Sequence, residues 1–186
     1  MTPERLHDLL YNCAELHDAE KMSEIGDALV TTTIVDEDST WAAPVEERIL
    51  FGLCCILHHA GANGLDDMWA INEMASVATM ASALEGLQLI GEKALYDHAM
   101  VFWNHMMAQI ADQELKIPLK YSDAKRGDYA DAENAIMEAD YDVVLPANVR
   151  DASYAFLSVG DTSFPGSVLT WIRTFEDRLA ARICQA

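Results

Sequence analysis

Apolar residues recur every three or four positions along most of this chain, a spacing that belongs to a helix and not to a strand. At 100° per residue, Leu6, Leu9, Leu10, Cys13, Leu16 and His17 share one face of a segment that opens on Thr2-Pro3. Proline suits a first helical turn, so a helix is expected from Pro3 to Asp18, with His17 at the edge of its buried stripe. Glu20 falls in the apolar stripe and marks a bend or stop. Met22, Ile25, Leu29 and Val30 continue the period, and the β-branched run Thr31 to Val35 reads as extended. Asp36 to Thr40 reads as a loop.

Pro44 opens the next helix, with Glu46 and Glu47 favourably placed at its positive N-terminal end. Ile49 to Leu57 is apolar nearly all round, the mark of a central buried helix. Gly61 and Gly64 offer its stop, and Leu65 to Trp69 reads as a short turn or helix entry. Helices are expected at 74–90, with Gly91 after its end, and at 92–110 and 128–142. A loop with Lys116, Pro118, Lys120, Lys125 and Arg126 lies between the last two. Pro146 breaks the chain before 147–159, and Thr162-Ser163-Phe164-Pro165 starts a final helix with Val168, Ile172, Phe175, Leu179 and Ile183 in register. The expected class is all-α: one acidic helical domain over 1–186, a bundle of about seven helices.

Charge is the second constraint. The chain carries 31 Asp and Glu against 12 Lys and Arg, a net charge of −19, yet 51% of it is hydrophobic, so it can bury a core while tolerating self-repulsion. Nucleic acid and anionic membranes are disfavoured as direct partners because both are negative; cationic partners are expected. Neither a basic-then-apolar leader nor a membrane-length apolar run is present. Cys13, Cys54, Cys55 and Cys184 form no Cys-x-x-Cys pair, so reduced cysteines and a cytoplasmic location are expected.

The acids are unevenly placed. No base lies between Arg48 and Lys93, a stretch that holds Asp66 and Asp67. On helical wheels Asp128, Asp131, Glu138 and Asp142 form one stripe and Glu4, Asp8, Glu15 and Asp18 another, each roughly 21 Å long at 1.5 Å per residue. Duplex DNA carries a charge every ~3.4 Å on each strand, so four carboxylates over that length match about every second phosphate. Solvated outer faces of ordinary amphipathic helices produce the same pattern.

At Ala62-Asn63-Gly64-Leu65-Asp66-Asp67-Met68-Trp69-Ala70-Ile71-Asn72 the order resembles the Asn-Gly-Gly-Phe, aromatic, Asn signature of a family of all-helical bacterial proteins that includes a dimeric DNA mimic; Leu65 stands where that family has its second Gly. Ala83-Leu84-Glu85-Gly86-Leu87-Gln88-Leu89-Ile90-Gly91 resembles the family's Ala-Leu-x-x-Leu-x-x-Ile-Gly stretch, and Glu47-Arg48 precedes an apolar helix as it does there. The resemblance spans roughly residues 44–100. It implies an acidic helical dimer presenting carboxylates to a basic DNA-binding protein such as a transcription regulator.

Catalytic signatures are sparse. Cys54 and His58, like Cys55 and His59, stand four apart, a spacing that lets one helix face supply two metal ligands. No second Cys/His pair has matching spacing, so buried packing is the expected role. His98 and His105 are roughly 10 Å apart along a helix, far for one ion. The Glu-x-x-His pair of helical di-metal sites, the P-loop, the nucleophile elbow and the dinucleotide fingerprint are all missing from the sequence. Met68, Met74, Met80, Met100, Met106 and Met107, with Trp69, Trp103 and Trp171, fit a helical core or an adaptable groove. An apolar face left uncovered would suit a homodimer. The expected function is a non-enzymatic acidic interaction protein, a DNA mimic on the DNA-binding surface of a basic protein, with no cofactor. The alternative is a small metal-dependent or ligand-binding helical enzyme, with Cys54, His58, His59, His98 and His105 as its first candidates.

Overall fold

The computed structural model describes residues 1–34, 37–71, 76–109, 120–138 and 144–184. These residues form ten helices and no strand, three helices more than the sequence suggested. They are α1 (Pro3–Tyr11), α2 (Asp18–Thr32), α3 (Glu37–Ala42), α4 (45–63), α5 (Leu65–Ile71), α6 (Ser76–Leu89), α7 (Lys93–Gln109), α8 (Gly127–Glu138), α9 (Ala147–Tyr154) and α10 (164–183). None is long and apolar enough to cross a membrane.

Helix ends are set by local caps and back-bonds that override the apolar period, and segments read as loop or turn are helical as well. The helix expected over 3–18 stops at Tyr11, where the amides of Asn12 and Cys13 both close on the Asp8 carbonyl. α2 then starts at Asp18, with the His17 amide donating to Glu20 Oε2 at 2.8 Å. Glu20 is thus a capping residue, and His17 is exposed at a helix start, not seated in the core. Thr31, Thr32 and Thr33 are not extended as expected. Their hydroxyls bond back to the carbonyls of Asp27, Ala28 and Leu29 one turn earlier, and the helix continues to Thr32. The loop expected at 36–40 gives way to α3, and Leu65–Ile71 is a full helix.

The core is built around α4. It packs against α2 on one side and α6 on the other. Small residues let these backbones approach. A Cβ at Gly52 would lie 2.8 Å from the Ala83 amide nitrogen, and one at Gly26 would lie 2.9 Å from Cys54 Sγ. Further out, α6 packs on α7, α8 and the 3-10 turn Tyr121–Asp123. α7 packs on α9, the first limb of α10 on α2, and its second limb on α1. α10 bends between its limbs at the 3-10 turn Arg173–Phe175. α4 itself widens into a π turn at Ile56–Ala60 before ending at Gly64, whose φ of +105° only glycine adopts readily. That stop folds Leu65, Met68 and Trp69 onto the core, and all three are buried. Gly91 (φ +78°) ends α6 in the same way.

Candidate functional site

The predicted acidic stripes fare differently. Glu4 and Asp8 lie on α1, Glu15 in the connecting turn and Asp18 at the start of α2, so the single 21 Å helical array expected over 3–18 does not exist. Asp8 lies 3.5 Å from Arg5, and Asp18 pairs with Lys21 at 2.9 Å. The Glu15 carboxyl is held below the usual range, chiefly by its own backbone amide and then by the Cys13 thiol. On α8 the described part of the wheel has the expected sides. Asp128 and Asp131 are exposed on one side while Tyr129 and Ala132 are buried on the other. Glu138 is the last helical residue of α8, and Asp142 lies outside the described residues. Asp128 Oδ2 also accepts the Lys125 amide at 2.6 Å, fastening the start of α8.

Asp66 is committed internally. Its Oδ1 accepts the hydroxyl of Ser153, a residue wholly shielded from solvent, at 2.6 Å, and its own amide donates back to that hydroxyl oxygen. Asp67, beside it on α5, is half-buried. Among the described residues, exposed carboxylates with no Lys or Arg within ion-pairing distance are Glu4, Glu15, Glu20, Asp27, Asp128, Asp131, Asp151, Asp161 and Asp177. They are spread over α1, α2, α8, α9, α10 and the adjoining turns. Asp128 and Asp131 share one face of α8, roughly 4.5 Å apart along the axis, and Glu20 and Asp27, seven apart, share one face of α2.

Several ionic groups are tied within the protein by contacts that the sequence reading did not foresee. Glu133 of α8 is buried, and its Oε1 accepts the amides of Val77 and Ala78, both at 3.0 Å, at the start of α6. Glu85 of α6 accepts the amide and hydroxyl of Ser122 at 2.6 and 2.7 Å. Glu46 and Glu47 do more than suit a helix dipole. They pair with Arg178 and Arg182, four apart on α10, at 2.8 and 2.6 Å, and so tie the first turn of α4 to the C-terminal limb. Arg48 is buried with its guanidinium carbon 4.9 Å from the Trp41 ring centroid and 5.1 Å from that of Tyr121, a cation–π sandwich that Tyr129 closes from the side. One signal was available: on its own wheel Glu133 falls between the apolar Tyr129 and Met137.

Of the metal-ligand candidates, Cys54 Sγ and His58 Nε2 both approach Gly26, as their spacing of four suggests. Cys54 is buried against Gly26 and its thiol is pushed well up by burial, then by Cys55 and Asp27; burial pushes Cys55 up to about 12. His58 is exposed and His59 half-buried on the π turn. His98 is exposed on α7, and His105 Nε2 accepts from Gln109 at 2.8 Å. Among the described residues no three His, Cys, Asp or Glu side chains converge to hold a metal. All four cysteines are free thiols. Met68, Met80 and Met106 are buried in the core; Met74 lies outside the described residues.

The chain matches no protein-family model, no curated protein and no solved structure.

Proposed function

We propose that this chain is a non-enzymatic acidic interaction protein that occupies the DNA-binding surface of a basic protein such as a transcription regulator. The observation that carries the reading is the set of exposed carboxylates left without a cationic neighbour. The 12 bases are far too few for the 31 acids, and several of them are spent on internal ties such as Arg182 to Glu47 and Arg5 to Glu24. The remaining negative field is screened only by salt, and a phosphate-binding groove would be attracted to it. The resemblance of residues 44–100 to a family containing a DNA mimic supports the same reading. The face that best suits it is the outer side of α8, with Asp128 and Asp131, since the acids of 3–18 are divided between two helices and a turn.

The test is capture of basic proteins on the immobilised chain at low and high salt, beside a variant with Asp128, Asp131, Glu138 and Asp142 changed to Lys. Capture that falls steeply with salt and disappears in the folded variant supports the proposal. Capture by the variant at the wild-type level removes this face from the account.

A further inference from the structure

A cleft of about 710 Å³ opens where α1, the start of α2, the end of α6 and the first limb of α10 meet. That volume falls in the range of small-molecule sites, which are mainly apolar with a few fixed polar groups. Leu9 and Leu169 form a buried floor, and Leu89, 52% exposed, stands at the lip opposite the half-buried Trp171.

The donors that face such a cleft are unusual for this chain. The threonine hydroxyls on its wall are already spent: Thr170 donates to the Gly166 carbonyl at 2.9 Å and Thr174 to the Trp171 carbonyl at 2.8 Å. Ser167 donates to Glu92 at 2.7 Å. The donors left are cationic. Lys21 uses one direction on Asp18 at 2.9 Å. Arg173 donates Nε, at 2.9 Å, and Nη2 to the Leu10 carbonyl, and its guanidinium carbon lies 4.8 Å from the Tyr11 ring centroid, so the group is held in plane at the end of α1. Its Nη1 has no hydrogen-bond partner among the described residues, and no carboxylate there comes within ion-pairing distance of Arg173. An arginine without an acidic partner is unexpected where acids outnumber bases 31 to 12. Around the cleft Lys21 is paired with Asp18, and the Glu92 carboxylate is held by Ser163 and Ser167, which leaves Arg173 as the lining cation with no carboxylate in ion-pairing distance among the described residues.

We propose that this cleft binds a small amphipathic monoanion, its alkyl or aryl body on Leu9, Leu89, Leu169 and Trp171 and its carboxylate on Arg173 Nη1. One uncompensated cation matches one negative head, and the apolar floor matches a hydrocarbon body. The site is separate from the exposed acids of α8, so it stands or falls independently of the interaction role.

The test is a titration of the full chain with octanoate, 1-octanol and octylammonium, followed by NMR at the amides of Thr170 and Thr174 and the indole of Trp171. The global charge of −19 favours the cation, so a preference for the anion at this cleft is decisive. Octanoate is expected to saturate these signals and to bind about tenfold tighter than octanol, the worth of one charge-assisted hydrogen bond. Octylammonium is expected to leave them in place. Arg173→Gln is expected to bring octanoate down to the affinity of octanol. Because Arg173 also holds the end of α1, Thr170→Trp serves as a second variant, filling the cleft from an exposed position without touching the guanidinium. It is expected to abolish binding of both octanoate and octanol. Octylammonium binding here as well as octanoate, or octanoate binding undiminished by Thr170→Trp, would overturn the proposal.

Discussion

Removing the Glu133 carboxylate should unfasten α6. The first four amides of any α-helix lack partners within the helix. Near the start of α6 the amides of Val77 and Ala78, on residues that are themselves buried, both donate to Glu133 Oε1 at 3.0 Å. Glu133→Ala takes away the acceptor and leaves two buried donors unpaired, each costing about 1–3 kcal/mol. Water entering the space left by the shortened side chain offsets part of this, so a loss of ~3 kcal/mol is expected. In a chain of this length that corresponds to a fall in Tm of about 6–12 °C. Glu133→Gln keeps an oxygen in place but loses the charge, which roughly halves such bonds, so it should cost only ~1 kcal/mol. Urea denaturation at neutral pH, followed by far-UV circular dichroism, measures both. A Glu133→Ala variant within ~0.5 kcal/mol of wild type, an ordinary surface effect, would refute the reasoning.

Other positions give equally sharp expectations. Gly52→Ala should cost more than ~2 kcal/mol, because its new methyl would meet the Ala83 backbone at 2.8 Å, and backbone cannot step aside. Gly127→Ala, with open space around it at the start of α8, should be neutral or stabilising by ~0.5 kcal/mol in the same denaturation assay. Arg48→Ala should lose about 2–3 kcal/mol by emptying the space between Trp41 and Tyr121, and Arg48→Met should recover more than half of that, since much of the arginine's worth there is its packed stem. Acid stability should depend on Glu24, whose carboxyl Arg5 holds below the usual range, first by hydrogen bonding at 2.8 and 2.7 Å and then by charge. A depressed folded-state value means a contribution fully present above the unfolded value of ~4.3 and lost as pH falls through the folded one. Glu24→Gln should therefore destabilise at pH 6 and converge on wild type toward pH 2, in denaturation curves taken across that range.

The helical class, the central place of α4 and the glycine stops at Gly64 and Gly91 were all legible, because apolar period and backbone freedom are properties of residues read in order. The segment 3–18 misled for a physical reason. Its apolar period carries on through Leu16, and the break at Asn12 depends on two amides sharing one carbonyl, an arrangement that periodicity does not report. Thr31 to Thr33 misled because a β-branched run signals a strand only if its hydroxyls do not bond back along a helix. Asp128 and Asp131 were placed correctly because solvent exposure follows from the wheel. Asp66 was not, because its partner Ser153 is 87 residues away. The cleft beside Arg173 was illegible for the same reason: its walls come from four separate helices.

Competition with DNA tests the central claim most directly. A basic protein captured by this chain at low salt is bound to a fluorescent duplex of its own target sequence, and the chain is titrated in while the anisotropy of the duplex is followed. The account predicts that the duplex is released in step with complex formation, that added salt weakens the release, and that duplex in excess reverses it. A ternary complex, in which the chain binds and the duplex stays bound, would contradict it.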